Sequence, residues 1–390
     1  MTALELRDRC AIVGIGTTPY SRGTDASTLE LHLEASLAAL ADAGLEPADV
    51  DGVMPHDIAD RIAEEFVTNL GLRDLAFSST IRTGGASFGS AVQSACLAVA
   101  AGVATCVLLP AGRRGYSEQR VSTSKVSPMP VLASINEFEK PYGNLVGMQW
   151  FAQAAQRHMH EYGTTSEHFG HIAVACRKHA NLNPRAIMHG RPMTLPDHQA
   201  SRLICTPFRL FDCSLESDGA GAILITSAER ARDLAKPPVL VSGFGEGHGD
   251  PPTSITQKRD MTFIEGMHHA GRRAFAMAGI GPADIDCAQL YDGFTWFVLG
   301  TLEALGFCAR GEGGPFVEGG RIELGGALPV NTHGGLLSEA HVSGVNHVIE
   351  AVRQLRCEVE PERQVDPCDT VLVTNEGDFH EGSVLILRRP

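Results

Sequence analysis

Ala43-Gly44-Leu45-Glu46-Pro47-Ala48-Asp49-Val50-Asp51 returns in the second half of the chain as Ala278-Gly279-Ile280-Gly281-Pro282-Ala283-Asp284-Ile285-Asp286. The Ala-Gly pair, the Pro-Ala-Asp triplet and the closing Asp are identical, and the Leu/Ile and Val/Ile exchanges keep two apolar positions. Each copy follows a helix-like stretch and precedes a short apolar run. Self-similarity at this separation denotes a duplicated unit, not a solenoid of short repeats. Function is to be sought where the two copies part company.

Working outward, the first copy opens with a strand-like run over Cys10–Ile15. A helix over Ser27–Ala43 stops at Gly44, and a strand covers Val50–Met54. A strand near Phe77–Ile81 leads to a small-residue helix over Ser90–Ala101 and a strand over Thr105–Leu109. The second copy repeats the script: a strand over Val239–Gly243, a helix over Thr262–Ala278 and a strand over Asp286–Leu290. A helix over Gly344–Leu355 and strands over Thr370–Thr374 and Ser383–Leu387 close it. Residues from about Gly115 to Thr206 have no counterpart in the second copy and include a helix over Asn144–Tyr162. Such an insertion is expected to form a lid or a substrate-binding subdomain. Apolar strands alternating with helices imply an α/β architecture with helices on the sheet faces.

Composition narrows the function. At 390 residues the chain can build two or three large cores. A net charge of −14 leaves no basic stripe to displace counterions, so a nucleic-acid surface is excluded. No apolar run reaches the ~18–20 residues that span a bilayer, and no signal peptide opens the chain. The ten cysteines are scattered singly, with no CxxC spacing. A disulfide framework or a metal site is therefore not expected; the thiols read as small buried hydrophobes of a reduced, cytoplasmic protein.

Four constellations could carry chemistry. Gly14-Ile15-Gly16 begins a dinucleotide fingerprint, but Pro19 stands where its third glycine belongs. Gly85-Ala86-Ser87-Phe88-Gly89 fits a G-x-S-x-G elbow between strand and helix, with Ser87 either a nucleophile or a cap of its helix. Its second-copy counterpart, Asn331-Thr332-His333-Gly334-Gly335, is followed by Ser338-Glu339-Ala340-His341. A histidine on that turn, facing the other copy's elbow, would serve as acid/base or oxyanion donor. Tyr291-Asp292 ends a buried strand and overlies His56-Asp57 of the first copy. The pairs His158/His160 and His168/His171 lack the carboxylate neighbours that a metal site would want and are expected to be solvated. Cys213 is expected to be buried, not nucleophilic.

Taken jointly, Asp218-Gly219-Ala220, Tyr291-Asp292-Gly293-Phe294, Gly311–Phe316 and Leu328–Gly335 resemble the thiolase superfamily over essentially the whole chain. The likeness is to the sterol-carrier-protein-x and lipid-transfer-protein branch, which includes aldolases of steroid side-chain breakdown. It implies two βαβαβαββ halves in a five-layer αβαβα core, with residues 1–238 as the first half, 239–390 as the second, and the loop domain inserted in the first. The family's nucleophilic cysteine matches Ala86 or Ser87, and its second cysteine turn reads Thr374-Asn375-Glu376-Gly377-Asp378. The asparagine of its N-E-A-F motif corresponds to Tyr291, while the G-H-P histidine is retained as His341. Tyrosines match both Tyr291 and His341 in the aldolase branch.

The resemblance therefore implies retro-aldol cleavage of a β-hydroxyacyl-CoA, without an acyl-enzyme. Tyr291 would act on the β-hydroxyl, and His341, helped by His333 or a water, would serve the enolate. It also implies coenzyme A thioester as substrate, no cofactor held by the chain, a homodimer, and a small OB-fold, zinc-ribbon partner. Two rivals follow from the same residues: an acyltransferase or thioesterase using Ser87, and a non-catalytic acyl-CoA or lipid carrier.

Overall fold

A computed structural model describes residues 3–56, 62–118, 120, 133–250, 254–377 and 380–390. Asp57 and Asp378, named above, lie outside them. The first copy runs α1 (Ala3–Leu6), β1 (Cys10–Thr17), α2 (Thr28–Ala43), β2 (Gly52–Val53), α3 (Ala63–Leu70), β3 (Phe77–Ser78), α4 (Ser87–Ala100) and β4 (Cys106–Arg114). The insertion carries α5 (Ala133–Phe138), α6 (Gly147–Tyr162), α7 (Ser166–Leu182), α8 (Leu195–Ala200), β5 (Leu203–Cys205) and β6 (Phe208–Arg209). The chain returns through β7 (Asp218–Ser227) and α9 (Ala228–Ala231). The second copy runs β8 (Val239–Gly247), α10 (Glu265–Ala278), β9 (Cys287–Gln289), α11 (Thr295–Ala304), α12 (Gly313–Val317), α13 (Gly335–Ser338), α14 (Val345–Arg356), β10 (Thr370–Glu376) and β11 (Gly382–Arg388). Its third strand shrinks to one parallel bridge between Ala288 and Val330.

The repeated nonapeptide has a physical cause in each copy. Gly44 and Gly279 end α2 and α10 at φ +68° and +71°, a left-handed conformation that glycine adopts without a Cβ penalty. In the turn that follows, Asp49 Oδ2 accepts from Glu46 N at 3.0 Å and Asp284 Oδ2 from Gly281 N at 2.8 Å. The last aspartate reaches the neighbouring strand. Asp51 Oδ1 accepts from Thr105 N (2.9 Å) and Cys106 N (2.8 Å) at β4, and Asp286 Oδ2 from Asp369 N (2.8 Å) and Thr370 N (2.9 Å) at β10. The motif is a splice from outer helix to parallel strand pair, used twice.

One mixed nine-stranded sheet follows the order β3-β2-β4-β7-β1-β8-β11-β10-β9. The copies meet where β1 pairs antiparallel with β8 through Ala11–Leu240 and Ile12–Val239. Helix α2 covers the outer face of the first copy's strands, with Leu31, Ala35, Ala39 and Leu40 against Ala11, Val13 and Leu108. Between the copies, α4 (Phe88, Val92, Cys96) and α14 (Val345, Val348, Val352) share one core with strands of both halves. Helix α10 covers the second copy through Met267, Ala270 and Ala274. The succession α2, strands, α4 with α14, strands, α10 is the expected five-layer thiolase architecture.

The Gly14-Ile15-Gly16 pair belongs to this packing. A Cβ on Gly14 or Gly16 would strike the α2 carbonyls of Ala39 or Ala35, and Gly243 and Gly245 stand in the same relation to Ala274 and Ala270 of α10. These glycines let helix and strand backbones approach.

The described part of the insertion is packed against the second copy. From α7, Arg177 Nε donates to Ser338 Oγ (3.0 Å) and His179 Nδ1 lies 3.1 Å from Asn331 O. Beyond it, Ile187 N donates to Glu339 O and Met188 N to Ser338 O. Two histidines expected to be solvated are not. His158 is fully buried, with Nδ1 2.8 Å from Thr164 Oγ1 and Nε2 3.2 Å from Glu303 Oε2, and His168 Nε2 lies 3.1 Å from Glu318. Their carboxylate partners come from the second copy, far away in sequence. Among the described residues no helix is long and apolar enough to cross a membrane.

Candidate active site

Tyr291 leaves the sheet just after β9. The Asn331 carboxamide replaces strand pairing there: Oδ1 accepts from Leu290 N at 2.7 Å and Nδ2 donates to Leu290 O at 2.8 Å. Tyr291 N donates to Thr374 Oγ1 of β10 at 3.0 Å. Fixed on both sides, the phenol is largely buried and lies edge-on to His341, its oxygen 3.2 Å from His341 Nε2.

His341 is oriented from the far end of the insertion. Ser214 Oγ lies 3.0 Å from Nδ1, and Ser217 Oγ accepts from His341 N at 2.8 Å. Burial, then the charge of Arg113, pushes the imidazole well below its ordinary pKa, so the ring is neutral at neutral pH. A neutral ring with Nδ1–H donating to Ser214 leaves Nε2 free to accept the Tyr291 hydroxyl proton.

Behind this pair lies a row of buried polar groups. Asp292 accepts from Leu336 N (2.8 Å) and Leu337 N (3.2 Å), and lies 3.2 Å from His347 Nε2. The His347 ring meets His333 edge-on at 4.9 Å. His333 Nε2 lies 3.6 Å from Glu339 Oε2, whose carboxylate also accepts from the amides of Asn183 and Asn346 at 2.9 Å each. Burial pushes Glu339 up to about 7 and His333 well below its ordinary value. His333 is fully buried in the second copy's interior, its ring against His347 and near Glu339 with neither nitrogen hydrogen-bonded among the described residues, where the sequence had it face the first copy's elbow.

Ser87 is also turned away from that role. Its hydroxyl donates to Gly84 O (2.7 Å) and accepts from Thr83 N (2.9 Å), and its residue is 1% exposed. It closes the turn that leads into α4. The position that does touch the site is Gly85, where a Cβ would come within 2.8 Å of the Tyr291 hydroxyl. The phenol fills the space at the tip of α4.

Sulfur has other places. Cys10 Sγ donates to Cys96 O at 3.3 Å, and Cys213 packs on Met148 with its thiol pushed up by burial. Cys176 approaches Asp292 at 3.7 Å, but burial and that carboxylate hold it well above the ordinary thiol range. Such a thiol is a poor nucleophile. Sequence reasoning missed Ser214, Ser217 and His347, because nothing in their local sequence announces contacts made across the molecule.

Fold and geometry define a thiolase-fold protein whose candidate site pairs a phenol with an imidazole. The family model for thiolase C-terminal domain-like sequences matches residues 247–389. The chain is 44% identical over 352 residues to the steroid side-chain-cleaving aldolase of Thermomonospora curvata, covering 89% of this chain and 90% of that protein. It is 43% identical over 356 residues to the 17-hydroxy-3-oxo-4-pregnene-20-carboxyl-CoA lyase of Mycobacterium tuberculosis, covering 90% and 92%. The solved Ltp2-ChsH2(DUF35) aldolase superposes with a TM-score of 0.92 at 42% identity over 98% of each chain. The chain belongs to the thiolase superfamily, in the family of the steroid side-chain-cleaving aldolases.

Proposed function

We propose that this protein is a carbon–carbon lyase that performs retro-aldol cleavage of a β-hydroxyacyl-CoA bearing a bulky, steroid-like group. The observation that carries the reading is the Tyr291–His341 pair at 3.2 Å, in a centre where the phenol stands beside the first-copy helix tip. The substrate class rests on the relatives whose names state a steroid side chain and a carboxyl-CoA.

The Tyr291 oxygen takes the proton of the β-hydroxyl while its own proton passes to His341 Nε2. The β-carbon becomes a ketone or aldehyde as its bond to the α-carbon breaks. The bonding pair moves into the thioester as an enolate. The proton then returns from His341 through Tyr291 to the α-carbon and leaves a shortened acyl-CoA. Neither water nor an oxidant is consumed. The low basicity of His341 suits a transient role, since the adjacent enolate charge stabilises the imidazolium only while both exist.

The active assembly is a cytoplasmic homodimer that works with a DUF35-type partner, as supported by the partner named in the solved aldolase. Residues 1–238 and 239–390 are its two halves. The test is cleavage of a steroid β-hydroxyacyl-CoA by the protein isolated from its host with any co-purifying chain. Release of a ketone with a shortened acyl-CoA, read by mass spectrometry, supports the lyase. A stable serine acyl adduct would establish the acyltransferase instead, and tight acyl-CoA binding without product would establish a carrier.

A further inference from the structure

The proposed cleavage places negative charge on the thioester oxygen, yet both His341 ring nitrogens are committed, one to Tyr291 and one to Ser214. We propose that Asn375 is a further catalytic residue, whose side-chain amide donates the hydrogen bond that stabilises the enolate oxygen. This assignment rests on the lyase reading for its reaction, but not for its geometry.

Asn375 lies near the end of β10, paired with Ser383 of β11, and is 1% exposed. Neither its nitrogen nor its oxygen has a hydrogen-bond partner among the described residues. A buried carboxamide with both ends unsatisfied is unusual, since such groups are nearly always paired. It is expected where a ligand completes the set.

Backbone without side chains lets that amide and the phenol come together. A Cβ on Gly344 would collide with Asn375 Nδ2 and come within 3.4 Å of the Tyr291 ring. A Cβ on Gly89, in the first turn of α4, would lie 3.3 Å from Asn375 Oδ1. A Cβ on Gly85 would lie 2.8 Å from the Tyr291 hydroxyl. Three glycines, two from the first copy and one from the second, thus pack closely around the place where the phenol and the unpaired amide meet. The N-terminal end of α4 lies against the same two groups, and its dipole favours negative charge there. Asn375 sits in the turn that resemblance matched to the family's second cysteine. An amide in that seat cannot take up a proton as a thiolate does, but it can hold an oxyanion.

The experiment measures exchange of α-hydrogen for deuterium in propionyl-CoA, a minimal saturated thioester, on the protein isolated from its host with any co-purifying chain. Enolate formation is read without needing the physiological substrate. Asn375→Ala should slow exchange by about 10²–10³-fold, with the propionyl-CoA dissociation constant changed by less than about threefold. Asn375→Leu keeps the size while removing the donor and should lose exchange equally; it decides the matter if the alanine variant does not fold. Exchange at the wild-type rate in either folded variant overturns the assignment, even where steroid β-hydroxyacyl-CoA is still cleaved. Wild-type exchange lost in both variants supports Asn375 even if no such ester is cleaved, which would instead sink the lyase reading. Absence of both exchange and cleavage in the wild type overturns both.

Discussion

Gly85 stands so close to Tyr291 that a single added carbon would lie 2.8 Å from the phenol oxygen and collide with the Glu376 carbonyl. The tip of the first-copy helix and the Tyr291 phenol are therefore fitted to each other. Gly85→Ala should displace the phenol from His341 and lower turnover by at least about 10-fold, since small misplacements of reacting groups are costly. Steady-state cleavage kinetics, with circular dichroism to verify folding, provide the check; full activity in a folded variant would show that the fit is immaterial.

Tyr291→Phe removes one oxygen from a ring held by packing and by its own backbone bond to Thr374. Turnover should fall by about 10²–10⁴-fold, the range for a positioned acid/base group, with little change in acyl-CoA affinity. Retention of more than a tenth of the wild-type rate would remove Tyr291 from the chemistry.

His341→Ala should keep acyl-CoA binding and lower turnover by about 10²–10⁴-fold, the range for a positioned acid/base group. His341→Tyr restores a polar hydroxyl of the kind found in the aldolase branch and should recover part of the loss. Equal kcat values for the wild type and the alanine variant would overturn the role.

Ser87→Ala should leave cleavage intact and lower stability by about 1 kcal/mol, because two bonds of the turn before α4 disappear. A serine-directed fluorophosphonate should not label Ser87. Labelling together with loss of turnover in the variant would restore the acyl-transfer route.

Glu339 carries a pH signature. Its folded pKa is raised to about 7 from an ordinary 4.5, so between those values the native state holds a proton that the unfolded chain has released. Its contribution to stability is therefore largest below pH 4.5, declines as pH rises, and levels off above about 7, a span of about 3 kcal/mol at most. Glu339→Gln should gain on the wild type between pH 5 and pH 7.5 in thermal melts. Parallel curves for the two proteins would show that Glu339 does not titrate in this window.

Much of the scaffold was legible because its cause is local. Ser27 accepts from Glu30 N while Glu30 answers Ser27 N, and Gly44 turns left-handed, so the ends of α2 are written in neighbouring residues. The duplicated nonapeptide was equally readable, since each aspartate serves the same backbone groups in both copies. The reduced third strand of the second copy was not readable: Asn331 there substitutes a side chain for a strand's backbone. At the site, Tyr291 and His341 could be named from motif position, but their pairing could not be derived from either motif alone. Ser214 and Ser217 carry no signal of their own, because they reach His341 only when the insertion folds back. His333 misled for the opposite reason. Its glycine-rich turn looks catalytic in sequence, whereas the ring points into a buried carboxylate and imidazole cluster.

Helices α4 and α14 lie between the two sets of strands and touch both, so the packing of each helix draws on both copies. A fragment ending at residue 238 would bare one flank of α4 and lose Tyr291 together with His341. The shared middle layer therefore ties each duplicated unit to the other, although the residues at the two copies' corresponding seats differ.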